Sequence, residues 1–223
     1  MSYPNGFDIV RAKLSAELIN QAYQQYQYFL NENPWEPTIG EMRTELVATP
    51  IGFFAKPEPF GFITEVDGVI FVVFRGTKSI DDWLTDAICD QDHYANIGSV
   101  HKGFDRLYMQ MQELIKSVFT TLKQIVITGH SLGGALAARA AVDMLGADVY
   151  TFCAPRVGDI DFANTANRPN AYRVFNTEDI VPTAPLAVST GPIYQHYGVP
   201  IPVTFNAGSI PDNHNLDRVV SLL

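Results

Sequence analysis

The chain has 223 residues, 47% of them hydrophobic and 17% charged, which is enough to bury one sizeable core and excludes disordered and fibrous classes. A net charge of −9 argues against a nucleic-acid partner, which calls for a basic patch, and leaves neutral or zwitterionic substrates open. The longest apolar runs, such as Val69–Phe74, fall far short of the roughly 20 residues a membrane span needs.

The first ten residues show no basic segment leading into an apolar one, so a cytoplasmic location is the expectation. Residues 8–31 then read as a helix: Asp8 can cap it, and Val10, Leu14, Leu18, Ala22, Tyr26 and Phe29 keep near-helical spacing. Three strand-like runs follow, Leu46–Phe54, Gly61–Glu65 and Val69–Phe74. The last two flank Asp67-Gly68, a strong hairpin signal because glycine accepts the positive φ of a tight turn.

From residue 103 the rhythm becomes helix then strand, repeated. Phe104–Leu122 reads as a helix, Gln124–Thr128 as a buried strand and Leu132–Leu145 as an alanine-rich helix. Asp148–Phe152, Tyr172–Phe175 and Val199–Phe205 read as further strands, with a short helical stretch near Asp159–Ala166 and a closing helix over Leu216–Leu223. This alternation predicts one α/β domain over 1–223: a mainly parallel sheet, helices on its faces and an antiparallel hairpin toward the N-terminus. Functional side chains in such sheets gather at the carboxyl ends of the strands.

Between the strand at Gln124–Thr128 and the helix from Leu132 lies Gly129-His130-Ser131-Leu132-Gly133, a G-x-S-x-G pattern. A serine on a sharp strand-to-helix turn projects its hydroxyl above the sheet, and the flanking glycines leave room for that turn. The helix that follows aims unpaired N–H groups at the place where negative charge would develop. Ser131 is therefore the candidate nucleophile.

Among five histidines, His130 lies inside the turn and reads as a packing residue, while His196 precedes the strand Val199–Phe205, at its wrong end. His214 follows that strand on the loop before the last helix and satisfies the chain order Ser…Asp…His, so it is the candidate base. For the acid, Asp159 and Asp161 remain open and Glu178 is a near rival. Asp179 is favoured, because the apolar Ile180-Val181-Pro182 after it suggests a buried bend where a carboxylate needs a partner. Cys89 and Cys153 have no ligand spacing and read as free thiols. The chemistry calls for no metal and no organic cofactor.

Phe74-Arg75-Gly76-Thr77 ends the hairpin strand; a threonine there is ordinarily just a turn or cap, and the sharper reading is that Thr77 joins the Leu132 amide in an oxyanion hole. Ile80, Trp83, Leu84, Ala87 and Ile88 then share one helical face. The plain reading is a surface helix packed on the core, and the sharper one is a lid over the acyl site.

Five stretches, Val73–Asp86 (VFRGTKSIDDWLTD), Val100–Phe104 (VHKGF), Thr128–Gly134 (TGHSLGG), Ala154–Asp159 (APRVGD) and Tyr172–Pro182 (YRVFNTEDIVP), resemble the class 3 lipases, the fungal triacylglycerol lipase family. That resemblance implies an α/β-hydrolase fold, a Ser131/Asp179/His214 triad and an oxyanion hole of Thr77 and Leu132. It also implies that Asp86 hydrogen-bonds Thr77, that the helix around Trp83 is a lid, and that His101 supports the oxyanion loop without being catalytic. The implied substrate is a lipid or other ester, met at a transient lipid–water interface. Phospholipase A1, galactolipase and feruloyl-type esterase activities are alternatives on the same scaffold, and a lipase-like binding protein is a more distant one.

Overall fold

The computed structural model describes residues 3–50, 55–77, 90–118, 122–166, 170–185 and 193–223. The expected surface or lid helix with Trp83 and Asp86, as well as Cys89, lies outside the described residues.

Among the described residues, seven strands form one sheet in the order β1-β2-β3-β6-β7-β8-β9. Strands β1 (Glu41–Ala48), β2 (Glu58–Val66) and β3 (Val69–Phe74) are antiparallel neighbours. From β3 onward the ladder is parallel through β6 (Ile125–His130), β7 (Asp148–Phe152), β8 (Ala171–Asn176) and β9 (Val199–Val203). The turn between β2 and β3 carries positive φ at both Asp67 (49°) and Gly68 (79°), the backbone that a two-residue hairpin of matching twist demands.

β3 alternates sides while staying buried from Ile70 to Phe74, because helices cover both faces. Ile70, Val72 and Phe74 join the core under α2 (Lys102–Ser117), α3 (Leu132–Asp143) and α4 (Ile160–Ala166). Phe71 and Val73 join the core under α1 (Ile9–Leu30) and α6 (Leu216–Ser221). α3 is buried along nearly its whole length, and its alanines and glycines let it lie close to the sheet. A Cβ on Gly133 would stand 2.5 Å from the carbonyl oxygens of both Phe74 and Arg75.

Several expectations shift. Asp8 does cap α1, accepting from the Val10 and Arg11 amides, but the buried face runs through Ala12, Ala16, Ile19 and Ala22. Val10 is 73% exposed, and Phe29 is exposed too. Leu18 and Ala22 are buried as expected, and the small Ala12, Ser15 and Ala16 let this part of the helix lie close against the sheet. The first strand begins at Glu41 rather than Leu46 and ends at Ala48, with 51–54 outside the described residues. Its polar first half belongs to an edge strand with one face in water. β4 (Gln91–Tyr94) and β5 (Gly98–His101) form a small separate hairpin that the sequence reading did not anticipate. α2 starts at Lys102 and ends at Ser117, short of Leu122. α3 stops at Asp143 and β9 at Val203, each two residues earlier than expected. A short helix, α5 (Ile210–Asn213), precedes His214.

Candidate active site

The parallel strands align their carboxyl ends: Phe74 pairs with Gly129, His130 with Phe152, Phe152 with Val174 and Asn176 with Val203. The segments that leave this rim carry Gly76, Ser131, Cys153 and Asp179.

Ser131 occupies the turn from β6 into α3 with φ 57° and ψ −128°, a left-handed backbone that costs a side-chain-bearing residue energy and persists only where packing enforces it. The enforcement is steric. A Cβ on Gly129 would run into the Gly133 backbone, and one on Gly134 would stand 2.6 Å from Ala154 Cβ. The Ser131 amide donates to Phe152 O at 2.9 Å, while its carbonyl accepts from the Gly134 and Ala135 amides. The Leu132 amide, in the first turn of α3, therefore has no acceptor within the helix and adjoins the serine.

His214 is anchored at three atoms. Its amide donates to Ile210 O at 3.0 Å, its carbonyl accepts from His130 Nε2 at 2.9 Å, and its Nδ1 donates to Asp179 Oδ2 at 2.6 Å. Its Nε2 is buried and has no hydrogen-bond partner among the described residues. Asp179 is 3% exposed and His214 is 1% exposed. The second carboxylate oxygen of Asp179 accepts the Val181 amide at 3.0 Å, at the start of the 3-10 turn Val181–Thr183.

Asn176 ties this corner together. Its side-chain nitrogen donates to Phe205 O (2.9 Å) and Asn213 O (3.0 Å), and its oxygen accepts from the Glu178 and Phe205 amides. It joins the end of β8 to the loop that brings in His214. The sequence reading assigned it nothing, although it lies within the quoted YRVFNTEDIVP stretch.

The rival acids separate by position. Asp159 Oδ1 accepts from the Phe162 amide and so caps α4. Asp161 lies in the first turn of α4, and Glu178 is exposed.

Gly76 passes directly beside the serine: a Cβ built there would stand 2.8 Å from Ser131 Cβ and 2.9 Å from His130 O. Thr77, next in the chain, is half-buried. Arg75 braces this segment. It is 2% exposed, donates to Pro59 O, Gly76 O and Glu58 Oε1 at 2.6–2.8 Å, and lies 3.7 Å from the Tyr26 ring centroid. Without those acceptors, burying a guanidinium there would be prohibitively costly.

Three histidines do other work. His130 is packed, as read, but is also hydrogen-bonded at both ring nitrogens, to Tyr23 Oη (2.8 Å) and His214 O (2.9 Å). Burial first, and the neighbouring His214 second, hold its pKa well below the ordinary value. His101 caps α2, its Nδ1 accepting from the Gly103 and Phe104 amides, and its ring stacks on Phe104. His196 is nearer the rim than its place before β9 suggested. It shares a cavity of about 250 Å³ with Asp179, Arg156 and Arg173, and its Nε2 donates to Pro182 O at 2.6 Å.

Among the described residues, the one cluster able to hold a metal ion is His130, Cys153 and His214, with ligand atoms within 4.8 Å of one another. Coordination would have to break the hydrogen bonds of His130. It would also have to deprotonate Cys153, whose thiol is pushed well above its ordinary pKa by burial and then by the Asp179 carboxylate.

A nucleophilic hydroxyl on a strained turn, an imidazole oriented by a carboxylate and an adjoining helix N-terminus make an arrangement able to perform acyl transfer. The family model described as "Lipase (class 3)" matches residues 71–189, more than half of the chain. The chain belongs to the class 3 lipase family. A lipase of Rhizomucor miehei is 38% identical over 137 residues, covering 53% of this chain and 38% of that protein. A secreted mono- and diacylglycerol lipase 1 of Fusarium solani is 34% identical over 160 residues, covering 63% of this chain and 48% of that protein. The chain thus spans less than half the length of these two relatives. The solved Rhizomucor miehei lipase propeptide complex superposes with a TM-score of 0.69 at 26% identity, covering 93% of this chain and 74% of that one. The sheet and its flanking helices are accordingly an α/β-hydrolase fold.

Proposed function

We propose that this class 3 lipase family member is a serine carboxyl-ester hydrolase acting on acylglycerols through an acyl-serine intermediate. The observation that carries the reading is at His214: Nδ1 is committed to Asp179, and Nε2 is buried with no partner among the described residues. An imidazole held in that tautomer presents a lone pair for a serine proton.

In the proposed reaction Ser131 Oγ attacks the ester carbonyl as its proton passes to His214 Nε2. Asp179 stabilises the imidazolium that forms. The tetrahedral oxyanion is held by the Leu132 amide and by Thr77 through its amide or hydroxyl, since one such donor contributes about 3–4 kcal/mol to a transition state of this kind. The intermediate collapses, the carbonyl re-forms, and the alcohol leaves with the proton from His214. Water then attacks the acyl-serine, yielding its proton to His214, and the acid departs as the proton returns to Ser131.

The acylglycerol substrate follows from family membership and from what the named relatives hydrolyse. The test is Ser131→Ala assayed on a nitrophenyl ester: turnover is lost while the circular dichroism spectrum is retained, and surviving turnover refutes the assignment. A panel from butyrate to oleate glycerides, with phospholipid and galactolipid, then tests the substrate. A rate that jumps as glyceride passes its solubility limit supports a substrate taken from a lipid–water interface, whereas preference for dissolved aromatic esters or for phospholipid moves the chain to another branch of the fold.

A further inference from the structure

The three pieces of the site come from distant places: Gly76 follows β3, Ser131 follows β6, and His214 lies beyond the edge strand β9. Ladder hydrogen bonds join β3 to β6, but β7, β8 and β9 intervene before the loop that carries the histidine. One chain of hydrogen bonds crosses that distance. The Gly76 amide donates to Tyr23 Oη at 3.0 Å, Tyr23 pairs with His130 Nδ1 at 2.8 Å, and His130 pairs with the His214 carbonyl at 2.9 Å.

The directions are forced. An amide can only donate and a carbonyl can only accept, so Nε2 of His130 carries the ring proton. Nδ1 then accepts, and the Tyr23 hydroxyl spends its single proton on it while receiving that of Gly76. Every member has its partner only if the imidazole is neutral, and its full burial keeps it so. The ring of His130 also packs 4.5 Å from that of His214.

We propose that Tyr23 and His130 are positioning residues, a neutral relay that holds the oxyanion strand end and the base histidine in register with Ser131. Tyr23 lies on α1, outside residues 71–189 matched by the family model, so the N-terminal helix becomes part of the site's support. The inference rests on the proposed hydrolase reading. Neither residue needs to touch substrate, because they act on the Gly76 and His214 backbones. Misplacing reacting groups by about 1 Å can cost about 100-fold in rate.

The experiment is steady-state hydrolysis of a soluble nitrophenyl ester by Tyr23→Phe, His130→Phe, the double variant and His130→Gln, with thermal unfolding of each. The expected result is kcat down by about tenfold or more in Tyr23→Phe with KM within about twofold, since alignment and not binding is lost. The double variant should be much less than multiplicative, because either change breaks the same chain. His130→Gln, which can still accept and donate, should recover part of kcat. A Tyr23→Phe enzyme with wild-type kcat, or multiplicative losses in the double variant, overturns the relay. So does a kcat that falls only in proportion to the folded fraction. A Ser131→Ala control run alongside separates the two levels: if it stays active the hydrolase reading fails, and if it is inactive while Tyr23→Phe is normal only the relay fails.

Discussion

Asp179 and His214 are 35 residues apart in the chain, yet Oδ2 of one lies 2.6 Å from Nδ1 of the other, with both side chains sealed from solvent. A carboxylate there is tolerable because it also accepts the Val181 amide, so its charge is spread over two hydrogen bonds. The pairing has two chemical consequences: it fixes the tautomer of the imidazole, and the carboxylate's charge stabilises the imidazolium formed during the reaction.

Replacing the acid by its amide removes both while keeping the side chain's shape. Asp179→Asn preserves shape but can donate to Nδ1, which moves the ring proton to Nε2. We expect kcat for ester hydrolysis to drop by about 10³–10⁴ with KM little changed. Steady-state kinetics at pH 7 checks this, and a variant retaining a tenth of wild-type kcat would remove Asp179 from the mechanism.

Gly76→Ala tests how tightly the oxyanion segment abuts the nucleophile. The added methyl would run into the Tyr23 hydroxyl and would also meet Ser131 Cβ at 2.8 Å and the His130 carbonyl at 2.9 Å, on the turn that β6 and α3 hold in place. The segment should shift, with kcat/KM falling about 100-fold while the chain remains folded. Near-normal kinetics would mean that the segment yields freely and that Gly76 is not a spacing device.

Arg139 tests stability away from the site. It is 3% exposed on α3, its Nε donates to Asp105 Oδ1 at 2.6 Å, and Nη1 lies 3.5 Å from Asp143. Arg139→Met leaves the Asp105 carboxylate buried without its cation, with the Tyr94 hydroxyl, among the described residues, still bonded to it. Denaturant titration should show a loss of about 3–5 kcal/mol. A loss below about 1 kcal/mol would mean that the carboxylate reaches water or takes up a proton at little cost.

Two histidines set the response to acid. Burial, with Arg173 next to it, lowers the pKa of His196 to about 4, and burial likewise holds that of His130 well below its ordinary value. In the unfolded chain both titrate near 6.5, so on acidification that chain takes up protons which the folded one refuses. Stability is therefore complete above about pH 6.5 and falls below it, by about 1.4 kcal/mol per pH unit for each histidine. Carboxylates held below their ordinary values, such as Asp143, add to the loss only nearer pH 4. Urea midpoints measured between pH 7 and 5 should fall, and the slope should be shallower in His196→Gln. An unchanged slope in that variant would show that the histidine already titrates normally in the folded chain.

Some of this was readable along the chain because the cause is local. Ile125–His130, the glycines around Ser131 and the small residues of α3 follow one another directly, so strand, strained turn and helix could be inferred without any distant contact. The Asp67-Gly68 hairpin is local in the same way. The buried face of α1 includes the expected Leu18 and Ala22 but takes in Ala12 and Ala16 and leaves out Val10 and Phe29, because burial there depends on a sheet assembled later in the sequence. The polar start of β1 carried too weak an alternation to read, as an edge strand exposes one side.

What the amino-acid order determines by itself is the nucleophile turn, the alternating α/β layout and the residue types available for acyl transfer, since each rests on neighbours within a few positions. Which carboxylate meets His214, how Asn176 joins β8 to the histidine loop, and that Tyr23 and His130 bridge Gly76 to His214 were decided only in three dimensions. Those contacts span 29 to 107 residues, and a hydrogen bond of 3 Å between such distant groups exists only once the whole sheet has set the position of its rim.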